Sequence, residues 1–225
     1  MRLVKVKLEV SPTHRALKLK KPRFQRVFLF AFHVKQKYTP LLIIKQIMNT
    51  KLLLDNLRNV PDFPKPGIHF KDVSTLFKNP ACIREMLDEL VRLYQDKGIT
   101  KVVGIESRGF VMGAMLAEKL GAGFIMARKP GKLPAETRKA TYLKEYGYDT
   151  IEIHTDAIDS NDVVLIHDDL LATGGSMQAA YDLVQHFGPK KTYINFLIEL
   201  QMEGLEGRKF LGKNLDITTL LTINE

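Results

Sequence analysis

Apolar and polar residues over positions 79–222 follow patterns that predict strands and helices in alternation. A helix starts at Asn79-Pro80, because asparagine caps helices and proline favours their first position, and its apolar face continues to Tyr94. Apolar runs typical of buried strands then alternate with segments of helical spacing. The predicted strands cover 101–105, 123–127, 163–166, 192–200 and 215–222, the helices 109–120 and 177–187, and the arms of a hairpin 142–146 and 150–154. We expect an α/β fold with a parallel sheet and helices on both faces, whose ligands collect outside the carboxyl ends of the strands.

The segment 163–176 combines a buried strand with candidate chemistry. A β-branched apolar run is followed by Asp168 and Asp169, and then by residues 173–176, Thr-Gly-Gly-Ser, at the start of a predicted helix. Glycines let the backbone approach a ligand, and the first amides of a helix attract an anion such as a phosphate. Carboxylates accept hydrogen bonds from vicinal hydroxyls, as in a ribose. The pattern favours a site for a phosphorylated sugar over an ordinary turn capped by two acids, and it is neither a dinucleotide fingerprint nor a P-loop.

This run resembles the signature of type I phosphoribosyltransferases, which bind 5-phosphoribosyl-1-pyrophosphate (PRPP) and displace its pyrophosphate with a nitrogenous base. The resemblance implies that family's fold, a central parallel sheet with helices on both faces, a small N-terminal hood and a flexible catalytic loop. At one position the chain departs from the family, because His167 precedes the acid pair where an apolar residue is more usual. The residues implied in binding PRPP and the nucleotide product are Asp168, Asp169, Ala172, Thr173, Gly174, Gly175 and Ser176.

Three further segments carry candidate binding residues. The loop 59–72, stiffened by three prolines, is similar to the N-terminal loop of the adenine-using members of this family, which implies that Phe70 stacks on adenine while backbone groups around His69 and Lys71 read its edge. Residues 106–109, Glu-Ser-Arg-Gly, follow a strand and open a helix, which favours a second anion. In the family the peptide bond at the Glu-Ser position is cis. Residues 128–134, Arg-Lys-Pro-Gly-Lys-Leu-Pro, resemble the basic stretch that leads into the family's flexible loop. The residues implied in binding pyrophosphate are Ser107, Arg108, Lys129 and Lys132. Taken alone, the loop 59–72 also fits a cover over the core, residues 106–109 fit a capped turn, and residues 128–134 fit a solvated charge run.

The segment 141–147, Thr-Tyr-Leu-Lys-Glu-Tyr-Gly, resembles the pattern of the adenine-using members of this family, in which a Glu-Tyr pair lies on the mobile loop. The resemblance implies catalytic roles for Glu145 as the acid/base and for Tyr146 in ordering the closed loop. A purine exchanges a proton as its N9 bonds to the sugar, so a carboxylate near N7 can hold that proton. An exposed hairpin acid is the plain alternative for Glu145.

The basic charge of the chain is concentrated at its beginning. The formal net charge is +9, but residues 1–47 hold twelve Lys/Arg and one acid, which leaves 22 basic and 24 acidic residues over 48–225. We therefore divide the chain into a basic extension, 1–47, and a phosphoribosyltransferase domain, 48–225. The extension has three alternative explanations: a start assigned too far upstream, with the natural chain beginning at Met48, a transit peptide, or an arm that binds nucleic acid. Its apolar runs are too short to span a bilayer, and the single cysteine, Cys82, fits a reducing compartment.

The resemblance covers nearly all of residues 52–200 and implies an enzyme of purine salvage. Its expected reaction is adenine plus PRPP giving AMP and pyrophosphate, with Mg²⁺ bound mainly through PRPP or pyrophosphate and no dedicated metal ligands in the protein. We expect a cytoplasmic homodimer whose partners are these small molecules, and neither nucleic acid nor a membrane. Two alternatives remain, a PRPP-binding transcription regulator of the same fold and a phosphoribosyltransferase for hypoxanthine, guanine, xanthine or orotate.

Overall fold

The computed structural model describes residues 48–144, 147–202 and 204–224. Helices and strands alternate along most of this part of the chain, as the sequence pattern predicts. The helices are α1 (Thr50–Asn56), α2 (Ser74–Lys78), α3 (Pro80–Tyr94), α4 (Gly109–Leu120), α5 (Gly175–Gln185) and α6 (Gly207–Leu211). The strands are β1 (Arg58–Val60), β2 (Phe70–Asp72), β3 (Lys101–Ile105), β4 (Gly123–Ala127), β5 (Thr137–Lys144), β6 (Gly147–His154), β7 (Val163–Leu171), β8 (Lys191–Leu200) and β9 (Ile217–Ile223).

The central sheet has five strands in the order β4-β3-β7-β8-β9, and every pair is parallel. The chain passes outward from β3 to β4 and then returns to place β7 on the other side of β3. Strand order therefore reverses between β3 and β7, and such a switch point opens a crevice at the carboxyl ends of the two strands. Both anion-binding segments predicted from the sequence follow these two strands.

Alternating apolar residues bury both faces of this sheet. Val102 on β3 and Leu165 on β7 pack in one cluster with α3 and α4, whereas the adjacent residues Val103 and Ile166 pack in a second cluster with α5. Successive side chains of a strand point to opposite faces, so the two clusters lie on opposite sides of the sheet. Each fully buried aliphatic side chain contributes roughly 1.5–3 kcal/mol through its removal from water. The expected α/β fold with helices on both faces is confirmed.

The elements before α3 form the small hood. The stretch 51–60, amphipathic in the sequence, is divided into α1 and β1, because β1 pairs in antiparallel fashion with β2 and Arg58 is directly opposite Asp72. The guanidinium of Arg58 hydrogen-bonds the carboxylate of Asp72 and lowers its pKa from 3.8 to about 2. This pairing fixes the two ends of the proline-rich loop that joins β1 to β2.

The observed boundaries differ from the predicted ones mainly in the second half of the domain. Strand β7 runs on to Leu171 rather than ending at Ile166, because β8 continues to pair with it as far as Glu199. The hairpin arms are longer than predicted, with β5 and β6 paired from Thr137↔His154 to Lys144↔Gly147. Within the described residues, the helices are all too short or too polar to cross a membrane.

Candidate active site

The acid pair lies at the end of β7, inside the sheet rather than on a loop. Asp168 is opposite Phe196 of β8 in the parallel register, and its Oδ1 accepts a hydrogen bond from the amide of Asp169 at 2.9 Å. The side chain of Asp169 is buried, and its Oδ2 lies 3.0 Å from Nε of Arg108. Two of the predicted PRPP-binding residues are thus joined to a predicted pyrophosphate-binding residue.

Burial and mutual repulsion control the protonation of this pair. Burial raises the pKa of Asp168 well above its usual value, and the neighbouring charge of Asp169 raises it further. Burial also raises the pKa of Asp169, although the guanidinium of Arg108 opposes that increase. When two carboxylates lie close together with too few hydrogen-bond donors around them, the pair favours keeping a proton on one of the two. Hydroxyl donors from a bound sugar would satisfy the ionised form, so the pair suits a polyol ligand.

A single glycine brings the loop after β3 against the end of β7. A Cβ on Gly109 would lie 2.7 Å from the carbonyl oxygen of His167 and 3.0 Å from Oδ1 of Asp168. A larger residue would push α4 away from β7, because real side chains do not approach backbone that closely. Gly109 therefore allows the Arg108–Asp169 contact.

The predicted phosphate cradle consists of the turn and first residues of α5. Gly174 has a left-handed backbone with φ of 87°, which favours glycine, and its carbonyl accepts the amide of Gln178 at 2.9 Å. The amides of Gly175 and Ser176 lie in the first turn, where a helix leaves its N–H groups without helical partners. Thr173 is exposed beside them. The local structure is therefore the strand, turn and helix that an anion site requires.

Helix α6 supports this cradle from behind, which sequence patterns alone did not indicate. The amide of Gly207 donates to the carbonyl of Ala172 at 2.9 Å, and a Cβ on Gly207 would lie 2.4 Å from that oxygen. Arg208 follows directly and forms an ion pair with the buried carboxylate of Glu199 at 2.6 Å. The Gly-Arg pair at 207–208 is the only signal in the sequence, and it is too short to interpret without the fold.

The predicted pyrophosphate loop is held by an ion pair. The peptide bond between Glu106 and Ser107 is cis, as the resemblance implied. Arg128 lies 3.2 Å from the carboxylate of Glu106, which also accepts the amide of Lys129 at 2.8 Å, and these contacts lower the pKa of Glu106. The side chains of Ser107, Lys129 and Lys132 are exposed. The basic stretch is therefore tied to the loop after β3, with lysines directed to solvent.

The predicted adenine-binding residues lie at the start of β2. The ring of Phe70 contacts Phe63 edge to face at 5.3 Å between centroids, and the guanidinium of Arg108 lies 5.6 Å from the Phe70 centroid. Lys71 is buried, and Nδ1 of His69 lies 3.3 Å from Nδ2 of Asn59. Arg108 thus contacts both the predicted base-binding ring and, through Asp169, the predicted sugar-binding acids.

The two predicted catalytic residues, Glu145 and Tyr146, lie outside the described residues. The hairpin that holds them is described on either side, and residues of both its strands pack into the α5 cluster. The resemblance placed this pair on a loop over the site. The described residues contain no group of three or more His, Cys, Asp or Glu side chains able to hold a metal.

His167, which departs from the family pattern, is fully buried. Its Nδ1 lies 2.8 Å from Oδ1 of Asn195, whose amide nitrogen donates to Thr218 at 3.0 Å. The amide oxygen must accept, so Nδ1 of His167 carries the proton. Nε2 has no hydrogen-bond partner in the described part of the chain. A Cβ on Gly113 of α4 would lie 3.5 Å from Cδ2 of the ring, which is ordinary van der Waals contact.

Comparisons with known proteins agree with this geometry. The family model of the phosphoribosyl transferase domain matches residues 72–210. The adenine phosphoribosyltransferase of Phocaeicola vulgatus is 65% identical over 176 residues, which cover 78% of this chain and 100% of that protein. The crystal structure of the Rhodothermus marinus enzyme of the same name has a TM-score of 0.71 and 48% identity, and covers 77% of this chain and 97% of that one.

A third relative was solved with ligands bound. The Saccharomyces cerevisiae adenine phosphoribosyltransferase, in complex with an imino-altritol bisphosphate and adenine, has a TM-score of 0.70 and 42% identity, and covers 76% of this chain and 97% of that chain. The domain match exceeds half of this chain, and the curated relative is matched over its whole length. The predicted family is therefore confirmed, and the chain belongs to the adenine phosphoribosyltransferase family.

Proposed function

We propose that this protein transfers the 5-phosphoribosyl group of PRPP to adenine, giving AMP and pyrophosphate. The observation that carries the proposal is the position of Arg108, which contacts Phe70 on one side and Asp169 on the other. These two contacts support base, sugar and pyrophosphate subsites that meet next to the switch point of the sheet. The names of the relatives and the adenine bound in the yeast structure support adenine as the base.

In the proposed reaction, the bond between C1′ and the pyrophosphate oxygen breaks as N9 of adenine bonds to C1′. The cradle at 173–176 binds the 5′-phosphate, and Asp168 and Asp169 accept hydrogen bonds from the ribose hydroxyls. Arg108 and Lys129 stabilise the negative charge that grows on the leaving group, which lowers the barrier because that charge is greatest late in the reaction. Glu145 holds the proton near N7, and closure of the hairpin excludes water that would hydrolyse the sugar.

Magnesium is proposed to bind mainly through the phosphate oxygens of PRPP. Mg²⁺ commonly binds through substrate phosphates and one or two carboxylates, and the acid pair offers carboxylates beside the cradle. When bound, the ion neutralises charge on the pyrophosphate. We also propose a cytoplasmic homodimer, which is supported only by the family resemblance. The division into an extension, 1–47, and an enzymatic domain, 48–225, stays a prediction.

The test measures pyrophosphate release from PRPP and Mg²⁺ with adenine, hypoxanthine, guanine, xanthine or orotate added separately. We expect turnover with adenine alone and a loss of at least about 100-fold in kcat for Glu145→Ala, since general acid/base catalysis contributes roughly 10²–10⁴-fold. Glu136→Ala is the control, because Glu136 is an exposed carboxylate just before the same hairpin. Turnover with another base would overturn the adenine assignment. PRPP binding without turnover would favour the regulator.

A further inference from the structure

A tyrosine of the hairpin, to which the family resemblance assigned no role, contacts the predicted phosphate cradle. Tyr142 belongs to β5, and Ser176 Oγ donates a hydrogen bond to its hydroxyl at 3.0 Å. Ser176 is the second residue of α5, in the turn where a phosphate is expected. We propose that Tyr142 is a positioning residue that directs the Ser176 hydroxyl to the 5′-phosphate of PRPP, an inference that rests on the proposed function.

The hydrogen bonds around Tyr142 run in one direction through two hydroxyls. Ser176 donates to Tyr142, and the Tyr142 hydroxyl lies 3.4 Å from Oδ2 of Asp149, toward which it is directed as a donor. Asp149 is the residue directly opposite Tyr142 on β6. The proton of the cradle serine is therefore directed away from the cradle, toward a carboxylate on the hairpin.

Both strands of the hairpin pack against α5, and the Tyr142 ring takes part in this packing, so its hydroxyl has a defined place. Tyr142 packs in the same cluster as Ile151 and Ile153 of β6 and Met177 of α5. Further along, the guanidinium of Arg138 lies 5.4 Å from the ring centroid of Phe187. A side chain held at both its ring and its hydroxyl loses little rotamer freedom when a ligand binds, which favours a positioning role.

Phosphate binding reverses the order of these bonds. A hydroxyl has one proton to donate, so Ser176 must turn from Tyr142 to donate to a phosphate oxygen. The serine oxygen then becomes an acceptor facing Tyr142, whose hydroxyl leaves Asp149 and donates to Ser176. The series of donors ends on the phosphate dianion, and each bond polarises the next and strengthens it. Tyr142 thus stabilises the phosphate-bound state through Ser176.

The same exchange links the cradle to the catalytic hairpin. Tyr142 lies on the strand that leads into Glu145 and Tyr146, and Asp149 lies on the strand that leaves them. When the phosphate takes the serine proton, Asp149 loses the tyrosine as a donor while the two strands remain paired. Binding of a phosphate in the 5′-phosphate subsite therefore changes the hydrogen bonding of Asp149 on the hairpin.

The test replaces the hydroxyl alone, with Tyr142→Phe. A hydrogen bond of this kind contributes roughly 0.5–1.5 kcal/mol, so we expect the KM for PRPP to rise about 3- to 10-fold while the KM for adenine is unchanged. The matched control is Tyr148→Phe on the same hairpin, because Tyr148 is 79% exposed. An unchanged KM for PRPP, or an equal rise in both variants, would overturn the proposal.

A double-mutant cycle and a binding measurement separate positioning from a general effect on folding. In a Ser176→Ala background, Tyr142→Phe should change the KM for PRPP less than about 2-fold, because its partner is already absent. Additive effects would refute the link. Ribose 5-phosphate should raise the Tm of wild type more than that of Tyr142→Phe, whereas pyrophosphate should raise both equally. This binding readout holds even if adenine is not the substrate, so the two proposals fail separately.

Discussion

Burial of His167 should make the stability of this protein depend on pH in a defined window. Burial lowers the pKa of His167 from 6.5 to about 4 despite its hydrogen bond with Asn195. Protonation would add a charged N–H at Nε2, where no partner is present among the described residues. Between pH 6.5 and pH 4 the unfolded chain therefore binds this proton and the folded chain does not.

The sign and size follow from this difference in proton binding. Stability rises with pH wherever the unfolded state holds more protons, so the contribution of His167 is complete above pH 6.5 and is lost as pH falls to about 4. One pKa unit corresponds to about 1.36 kcal/mol, so the separation amounts to about 3 kcal/mol of unfolding free energy. That is a substantial part of the roughly 5–15 kcal/mol typical of a domain.

Urea unfolding at pH 7, 5.5 and 4.5 would measure the effect on wild type and His167→Gln. The advantage of wild type over the variant should shrink by about 2–3 kcal/mol across this range, because only wild type carries the titrating ring. His186→Gln, a change at an exposed histidine of the end of α5, should leave the pH dependence unaltered. A difference between wild type and His167→Gln that stays constant with pH would refute the reasoning. So would an NMR titration of the wild-type ring with a midpoint near 6.5.

Two substitutions test the support behind the cradle. Gly207→Ala should raise the KM for PRPP about 10-fold in a folded enzyme, because the added Cβ would displace the Ala172 carbonyl and overpacking costs about 1–3 kcal/mol. An unchanged KM for PRPP would contradict this. Arg208→Ala should lower the free energy of unfolding in urea by about 2 kcal/mol, because it removes the ion-pair partner of buried Glu199. The control, Lys209→Ala, removes an exposed ion pair with Glu206 and should lower that free energy by less than about 0.5 kcal/mol. Equal losses in both would show that burial of the carboxylate is unimportant.

The sequence predicts the architecture well because its strands obey local rules. The bounds of β3 and β4 and of helix α4 agree with the predicted 101–105, 123–127 and 109–120, since each segment has a clear apolar pattern and a glycine near one end. The end of β7 was not predictable in the same way. Two acids in succession normally end a strand, and here the pairing with β8 continues past them.

The contacts that build the site depend on distances that no local pattern contains. The Arg-Gly pair at 108–109 and the acids at 168–169 were each recognised, but the need for glycine at 109 arises from the close approach of α4 to β7. The support from Gly207 and the hydroxyl contact between Tyr142 and Ser176 likewise join segments distant in sequence. Tertiary packing, rather than residue type, determines these relations.

Under the proposed function, the extension of β7 past the acid pair makes the entropic cost of substrate binding unequal on the two sides of the site. Asp168 pairs with Phe196 of β8, and the pairing resumes at Leu170 just beyond Asp169, so little backbone entropy would be lost in the proposed binding of ribose hydroxyls to the two acids. The proline-rich loop between β1 and β2, the proposed base-binding loop, has no such pairing with the central sheet among the described residues. Most of the entropy that ligand binding costs should therefore be lost on the proposed adenine side. Substitutions that stiffen the loop 61–69 should accordingly improve adenine affinity more than PRPP affinity.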